Sequence, residues 1–495
     1  MTLGKEGNID CIIGAVQTKY PRFNTMNCHV KGTLRFQKHN KTVPEEELPN
    51  AEYIEKFDPP EFALEWVKNT AQVTDGTAYN ISAADATANT ISGVEKGKWV
   101  IAEKVKQVQK PAATVVQNFS HSLFSDIRIM ADGNPVAASP NLDYAFKAYL
   151  SQILSYPRAF ADTVLQSEIY DRDEPHDEVK MHVDQNHKDD RNKDIAKLLF
   201  TKAGLRRQQR VCTNKEIQFS FRPFTELTTN PKFMIDNMVW QISFLRNQPE
   251  FYVLTEDKNT TGYYYFDISE FFITIDLVTP VPKLHNMIQK ALTREIASYD
   301  ISRTAITTSQ AYRGSQVFNW ATAILQNLLP TSVAVFITRT SARNGQTTSD
   351  PFYFPHLNMT YVQLMINGSN YPLQPYQPDF KKGHFTREYS ALFDNMGFSS
   401  LKGKGSIDMT LEHFLKGSTV FVWDLNPDSC AGAHKNHSPK QGTIGLNINF
   451  ADALTENYTV NLLSVYKDSI LVDSQRIPRL ASTSNNEVNK SLIFA

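Results

Sequence analysis

Apolar and polar residues alternate along much of this chain, and one stretch of alternation occurs twice in nearly the same spelling. Phe119-Ser-His-Ser-Leu-Phe-Ser-Asp-Ile-Arg-Ile-Met-Ala-Asp-Gly133 and Phe354-Pro-His-Leu-Asn-Met-Thr-Tyr-Val-Gln-Leu-Met-Ile-Asn-Gly368 align Phe119 with Phe354, His121 with His356, Met130 with Met365 and Gly133 with Gly368. Between these anchors Ile127, Ile129 and Ala131 fall where Val362, Leu364 and Ile366 fall. The period of two predicts a strand in each copy. The closing Asp-Gly and Asn-Gly predict tight hairpin turns, because both turn residues must take positive φ.

The pattern then changes to a helical period in both places. After the first copy, Phe146, Leu150, Ile153 and Leu154 lie on one face of a helix over 143–155; after the second, Tyr389, Leu392 and Phe393 do the same, with Gly397 as the expected C-terminal cap. A third correspondence closes each half. Met238 to Leu254 reads as two strands with a bend, as do Thr443 to Phe450 and Tyr458 to Tyr466, where Ile444, Leu446, Ile448 and Phe450 alternate with Thr443, Gly445, Asn447 and Asn449. Three correspondences in one order predict a tandem duplication. Further strands are legible at 263–278, 333–338 and 419–425, and Pro282 opens an amphipathic helix carrying Leu284, Ile288, Ala291 and Leu292 on one face and Lys290 and Arg294 on another. Many short strands with few helices predict an all-β fold built of two sandwiches.

The expected organisation is an N-terminal arm over 1–50, a first unit over 51–256, a second over 262–480 and a polar, flexible C-terminal tail over 481–495. Within the first unit, the run from Asp171 to about Arg210 has hardly any apolar residues and reads as a long solvated surface loop. The basic clusters Lys104 to Lys110 and Arg206 to Arg210 read as solvated loops too.

Length and composition agree with two folded units. The chain has 495 residues, 41% of them hydrophobic and 21% charged, which supports a substantial core. A net charge of −1 gives no strong signature of nucleic-acid binding. Cys11, Cys28, Cys212 and Cys430 are scattered, as free thiols in a reducing compartment would be. The polar N-terminus lacks the apolar run of a signal peptide, and no stretch has the length of a membrane span. The protein is therefore expected to be made inside the cell and not secreted, and the sequons at Asn118, Asn358, Asn367 and Asn457 read as ordinary β sequence.

Catalytic and metal chemistry has no pattern to stand on. His176, His182 and His187 sit among carboxylates but match no zinc or EF-hand spacing, and Cys430, His434 and His437 lack a fourth ligand nearby. Nucleophile-elbow, phosphate-loop and dinucleotide motifs are missing from the sequence. His121 and His356 stand at matching points of the repeat and read as strand-edge histidines making a hydrogen bond. No catalytic, cofactor-binding or metal residue is assigned.

Taken in order, Phe119 to Gly133, Ile235 to Asn247, Pro351 to Met359, Leu373 to Phe380, Arg387 to Phe393, Val422 to Asp428 and Lys440 to Leu446 resemble the hexon-like major capsid proteins of Polinton (Maverick) elements and adintoviruses. The resemblance spans about Phe119 to Leu480 apart from the polar loop. It implies a double jelly roll, two tandem eight-stranded sandwiches with short helices. It also implies a structural, non-enzymatic subunit that forms homotrimers of pseudo-hexagonal outline, tiles an icosahedral virion capsid, and meets neighbouring capsomers and minor or penton capsid proteins. An alternative is a tandem jelly-roll carbohydrate-active enzyme or glycan-binding protein, since one fold serves several functions. A second alternative is a minor capsid protein.

Overall fold

The structure, a computed structural model, describes residues 7–38, 64–67, 98–101, 113–137, 143–176, 201–212, 215–255, 262–322, 328–396, 407–426 and 441–481. The chain divides into two compact units, a large one of residues 1–51 and 112–495 and a small one of residues 52–111.

The first part of the large unit contains β1 (Ile9–Ile13) and β2 (Tyr20–Lys38). The small unit contains an antiparallel pair, β3 (Leu64–Val67) with β4 (Lys98–Ile101). The chain then supplies β5 (Ala113–Val115), β6 (Phe124–Ala131), β7 (Asn134–Ala137), β8 (Ile217–Phe221), β9 (Trp240–Arg246), β10 (Val253–Thr255) and β11 (Gly262–Val278). A second set follows: β12 (Ala297–Ala311), β13 (Val317–Thr322), β14 (Ser332–Arg339), β15 (Met359–Ile366), β16 (Ser369–Tyr376), β17 (Val420–Asp424), β18 (Ile444–Phe450) and β19 (Tyr458–Val472), with β20 (Pro478–Leu480) attached to the last.

Sheet order reveals the duplication directly. The second set forms two four-stranded rows, β12-β19-β14-β17 and β13-β18-β15-β16. Numbered by chain order within the set, these are strands 1-8-3-6 and 2-7-4-5, the two sheets of a jelly roll. The first set repeats them as β1-β9-β6-β7 and β11-β2-β8. Every strand of the second set except β12 thus has a counterpart in the first among the described residues. The fold is all-β with short helices, a tandem pair of jelly rolls.

The repeated hairpin matches bond for bond. Asp132 and Gly133 turn with φ of 46° and 80°, Asn367 and Gly368 with 51° and 79°. The Asp132 amide donates to the Val239 carbonyl (2.9 Å), and the Val239 amide returns a bond to Asp132 Oδ1 (3.0 Å). Asn367 and Thr443 exchange the same two bonds at 3.0 and 2.8 Å. Asp and Asn suit this corner because they tolerate positive φ and offer a short side-chain acceptor.

Three expectations of organisation change. The segment read as an arm holds β1 and β2, woven into the first sandwich by pairing with β9 and β11. On β2, Phe23, Met26, Cys28, Val30, Leu34 and Phe36 are buried while the half-buried Lys31 and Arg35 lie between them. Its polar face made the strand look irregular. Strand β11, read as the opening of the second unit, pairs with β2 from Tyr20 opposite Val278 to Lys38 opposite Gly262, so the first sandwich extends to Val278. Residues 51–111, assigned to the first sandwich, form the separate small unit from Glu52 onward. In the chain that unit falls between β2, which pairs with β11, and β5, which pairs with β10.

Short helices lie between the strands in the chain, among them α1 (Phe119–Ser122), α2 (Tyr144–Ser155), α3 (Lys202–Val211), α4 (Pro282–Leu292), α5 (Thr386–Asn395) and α6 (Leu411–Leu415). On α2 the predicted face is buried at Phe146, Leu150, Ile153 and Leu154. On α5 Leu392 is buried, while Gly397 lies outside the described residues. The tail beyond Ala481 also lies outside them.

Candidate functional site

The most constructed region outside the sheets is the seam between the two sandwiches. Its centre is aromatic. Phe146 and Tyr149 of α2, with Phe251, pack on Phe336, Phe352 and Phe354 of the second sandwich at ring separations of 4.7 to 5.9 Å. Ring pairs at such separations add to what area burial alone supplies. Gln117 reaches the carbonyl of Phe352, its own counterpart in the repeat, at 3.5 Å. Equivalent positions of the two copies therefore meet across the seam.

Around the rings lies a buried polar frame. Arg207 on α3 donates to the Val115 carbonyl (2.8 Å), the Asp171 carbonyl, and both carboxylate oxygens of Asp173 (3.0 and 3.2 Å). Arg172 crosses to the second sandwich, donating to Ser418 Oγ (2.9 Å) and lying 3.4 Å from the Asp408 carboxylate. Arg343 answers from the other side, binding Asn461 Oδ1 at 2.7 Å and Asp143, with its guanidinium 4.9 Å above the Phe146 ring. Asp350 accepts the Phe352 amide at 2.8 Å; burial first, and then the Asp173 carboxylate, push its pKa up to about 6. Burial pushes His413 on α6 down to about 4, with Arg172 contributing, and its Nδ1 lies 2.8 Å from Thr410 Oγ1.

This frame corrects two readings. Asp171 to Asp173 were expected in a solvated loop, yet Arg172 and Asp173 are buried. Arg206 to Arg210 form part of α3, with Arg207 1% exposed. Sparse apolar content pointed to solvent because the compensating partners, Asp408 and Ser418, are more than 230 residues away in sequence. Lys104 to Lys110, His182 and His187 lie outside the described residues, as do Cys430, His434 and His437.

The paired histidines are not equivalent. His121 lies in α1, fully buried, with Nδ1 2.8 Å from Tyr144 Oη and Nε2 3.2 Å from Glu168. It does make the expected hydrogen bonds, but from within the core and not from a strand edge. His356 lies before β15, accepts the Asn358 amide at 3.0 Å and stacks on Phe380 at 4.3 Å. His176 bonds the Glu174 carbonyl at 2.7 Å. Among the described residues no group of three or more His, Cys, Asp or Glu is placed to hold a metal, and Cys11, Cys28 and Cys212 are free thiols.

One open surface depression of about 490 Å³ is lined by Arg158, Asp162, Gln166, Asp171, Glu174, Arg206, Gln209 and Arg210. Its carboxylates face arginines: Arg206 binds Asp171 at 2.6 and 2.8 Å and lies 3.7 Å from Glu174, and Arg158 lies 3.9 Å from Asp162.

No family model matches the chain, and no curated protein does. Among solved structures it is similar to a chain of the Sputnik virophage (10% identity, TM-score 0.47, covering 97% of this chain and 86% of that one). It is also similar to the mavirus major capsid protein (9%, 0.47, 97% and 87%) and the Faustovirus major capsid protein (9%, 0.47, 94% and 88%).

Proposed function

We propose that this chain is the structural subunit of an icosahedral virion shell, a major capsid protein of the Polinton and adintovirus type. The observation that carries the reading is the repetition, among the described residues, of every strand of one jelly roll but β12 in the other, the two joined through a buried seam. Two similar blocks per chain become six around a three-fold axis, so a homotrimer presents a near-hexagonal outline that packs without gaps. The ordered sequence resemblance from Phe119 to Leu480 points the same way.

In this role the protein acts by assembly and not by catalysis. It meets copies of itself within and between capsomers, and minor or penton proteins at the shell's special positions. Free thiols at the three described cysteines suit synthesis inside the host cell. Light scattering coupled to size exclusion tests the reading: a particle of three times 56.1 kDa, hexagonal in negative stain, is the expected outcome. A monomer that hydrolyses or binds oligosaccharides would overturn it in favour of the glycan-directed alternative.

A further inference from the structure

Helix α4, which connects the two sandwiches, is unusually bare. Of its eleven residues only Leu292 is buried, while Leu284 and Met287 are 46% and 60% exposed, flanked by Val281 at 66% and Ile296 at 60%. The side turned toward the protein mixes apolar and polar contacts: Ile288 packs against the core beside buried Leu292, His285 Nδ1 lies 3.0 Å from Tyr20 Oη, and Gln289 Nε2 donates to Asp236 Oδ1 at 3.0 Å. Helical spacing therefore places Leu284, Met287 and Ala291 on one outward stripe, and Lys283, Lys290 and Arg294 on the stripe beside it.

The apolar surface continues beyond the helix. Leu277 and Val278, at the end of β11, are 38% and 40% exposed and pair with Pro21 and Tyr20. Phe233 is 43% exposed beneath the Arg22 guanidinium, and the neighbouring Met234 amide bonds the Pro21 carbonyl. Lys19 and Lys232 are exposed at the same end. The helix contains no acidic residue; Asp276 and Glu295 are the nearest in the chain.

From this surface we infer a peripheral docking site for an anionic lipid membrane, with α4 lying in the interface. Apolar side chains beside a basic stripe are what a helix needs to sit at the headgroup boundary. Charge decides between the two obvious occupants. A second copy meeting this face symmetrically would set Lys283, Lys290 and Arg294 against their equivalents, whereas anionic headgroups complement them. At eleven residues the helix is far too short to span a bilayer, so the binding is superficial.

The test is flotation of the full chain with vesicles of phosphatidylcholine alone and with about a third phosphatidylserine. The wild type is expected to float with the anionic vesicles and to remain behind with the neutral ones. Leu284→Asp with Met287→Asp lies at exposed positions, so the thermal midpoint should be unchanged while vesicle binding is lost. Lys283→Gln with Lys290→Gln should reduce binding on the order of tenfold, since each basic residue near the surface contributes severalfold. Failure of the wild type to float would overturn the inference. So would lost self-association in place of lost vesicle binding in the aspartate variant, or binding that depends on the lysines alone. The two vesicle results do not bear on whether the chain forms trimers.

Discussion

The two jelly rolls differ most at one strand. In the second, β19 is paired along both edges, with β12 over fifteen residues and with β14 over eight. In the first, its counterpart β11 pairs with β2 on one side, and no strand among the described residues pairs with its other edge. Burial follows the pairing. Along β19 every residue is buried or half-buried, whereas on β11 the stretch from Ser269 to Val278 has no buried residue. Phe271, Ile273 and Ile275, inward-facing residues at the edge of the core, remain only partly covered. A flanking strand thus does two things at once: it satisfies backbone groups and roofs the side chains beneath.

The largest way to break the comparison is at the core anchors of the repeat. Phe119 and Phe354 are both fully buried, but Phe119 packs on Phe219, Tyr252 and Phe266 within the first sandwich, while Phe354 packs on Phe336 and also on Tyr149 across the seam. Either Phe→Ala change should cost about 3–5 kcal/mol in chemical denaturation. Only the second should loosen the seam, read as faster proteolysis between the sandwiches. Arg207→Ala should cost a similar amount, about 3–5 kcal/mol, because it leaves Asp173 buried without its cation.

The seam also carries an opposed pair of titrations. Asp350 has its folded pKa raised from 3.8 to about 6, so the folded state holds more protons in that window and stability from this group falls as pH rises through it. His413 is lowered from 6.5 to about 4, so the unfolded state holds more protons there and stability falls as pH drops through it. The two nearly cancel in the wild type. Asp350→Asn should expose the histidine's share, a loss of about 2 kcal/mol between neutral pH and the histidine's folded value relative to wild type. His413→Gln should shift the dependence the other way. Denaturation midpoints across this range, compared between variants, measure both; parallel curves would show that neither group is linked to folding.

Smaller effects sharpen the likeness. Gly133→Ala and Gly368→Ala meet open space, so only the positive φ resists them, and each should cost about 1 kcal/mol. Equal, additive losses are expected of matching turns in separate sandwiches. Smallest of all, amide exchange should distinguish β19 from β11 without mutation. Protection should be higher along β19 than along the Glu270 to Val278 end of β11, and equal protection would mean that another strand covers that edge.

Much of this was legible locally. The Asp132-Gly133 and Asn367-Gly368 corners formed as read, because a two-residue hairpin selects its own turn chemistry. The α2 face followed its periodicity, and β14 and β17 formed where strands were read, although both are buried along nearly their whole length. The arm, the boundary near Gly262 and the loop beginning at Asp171 were misread for one reason: each depends on a distant partner. Tyr20 finds Val278, and Arg172 finds Asp408, only after the chain has folded back over more than 230 residues.

By itself, then, the sequence determined the periods, the turns and the doubling, since these rest on sterics and burial preferences within about fifteen residues. Tertiary structure alone decided which strand edges were covered and which charges could leave water. A lone strand cannot name its neighbour, and a buried arginine is tolerable only where folding has already assembled the carboxylates and carbonyls that replace its solvent.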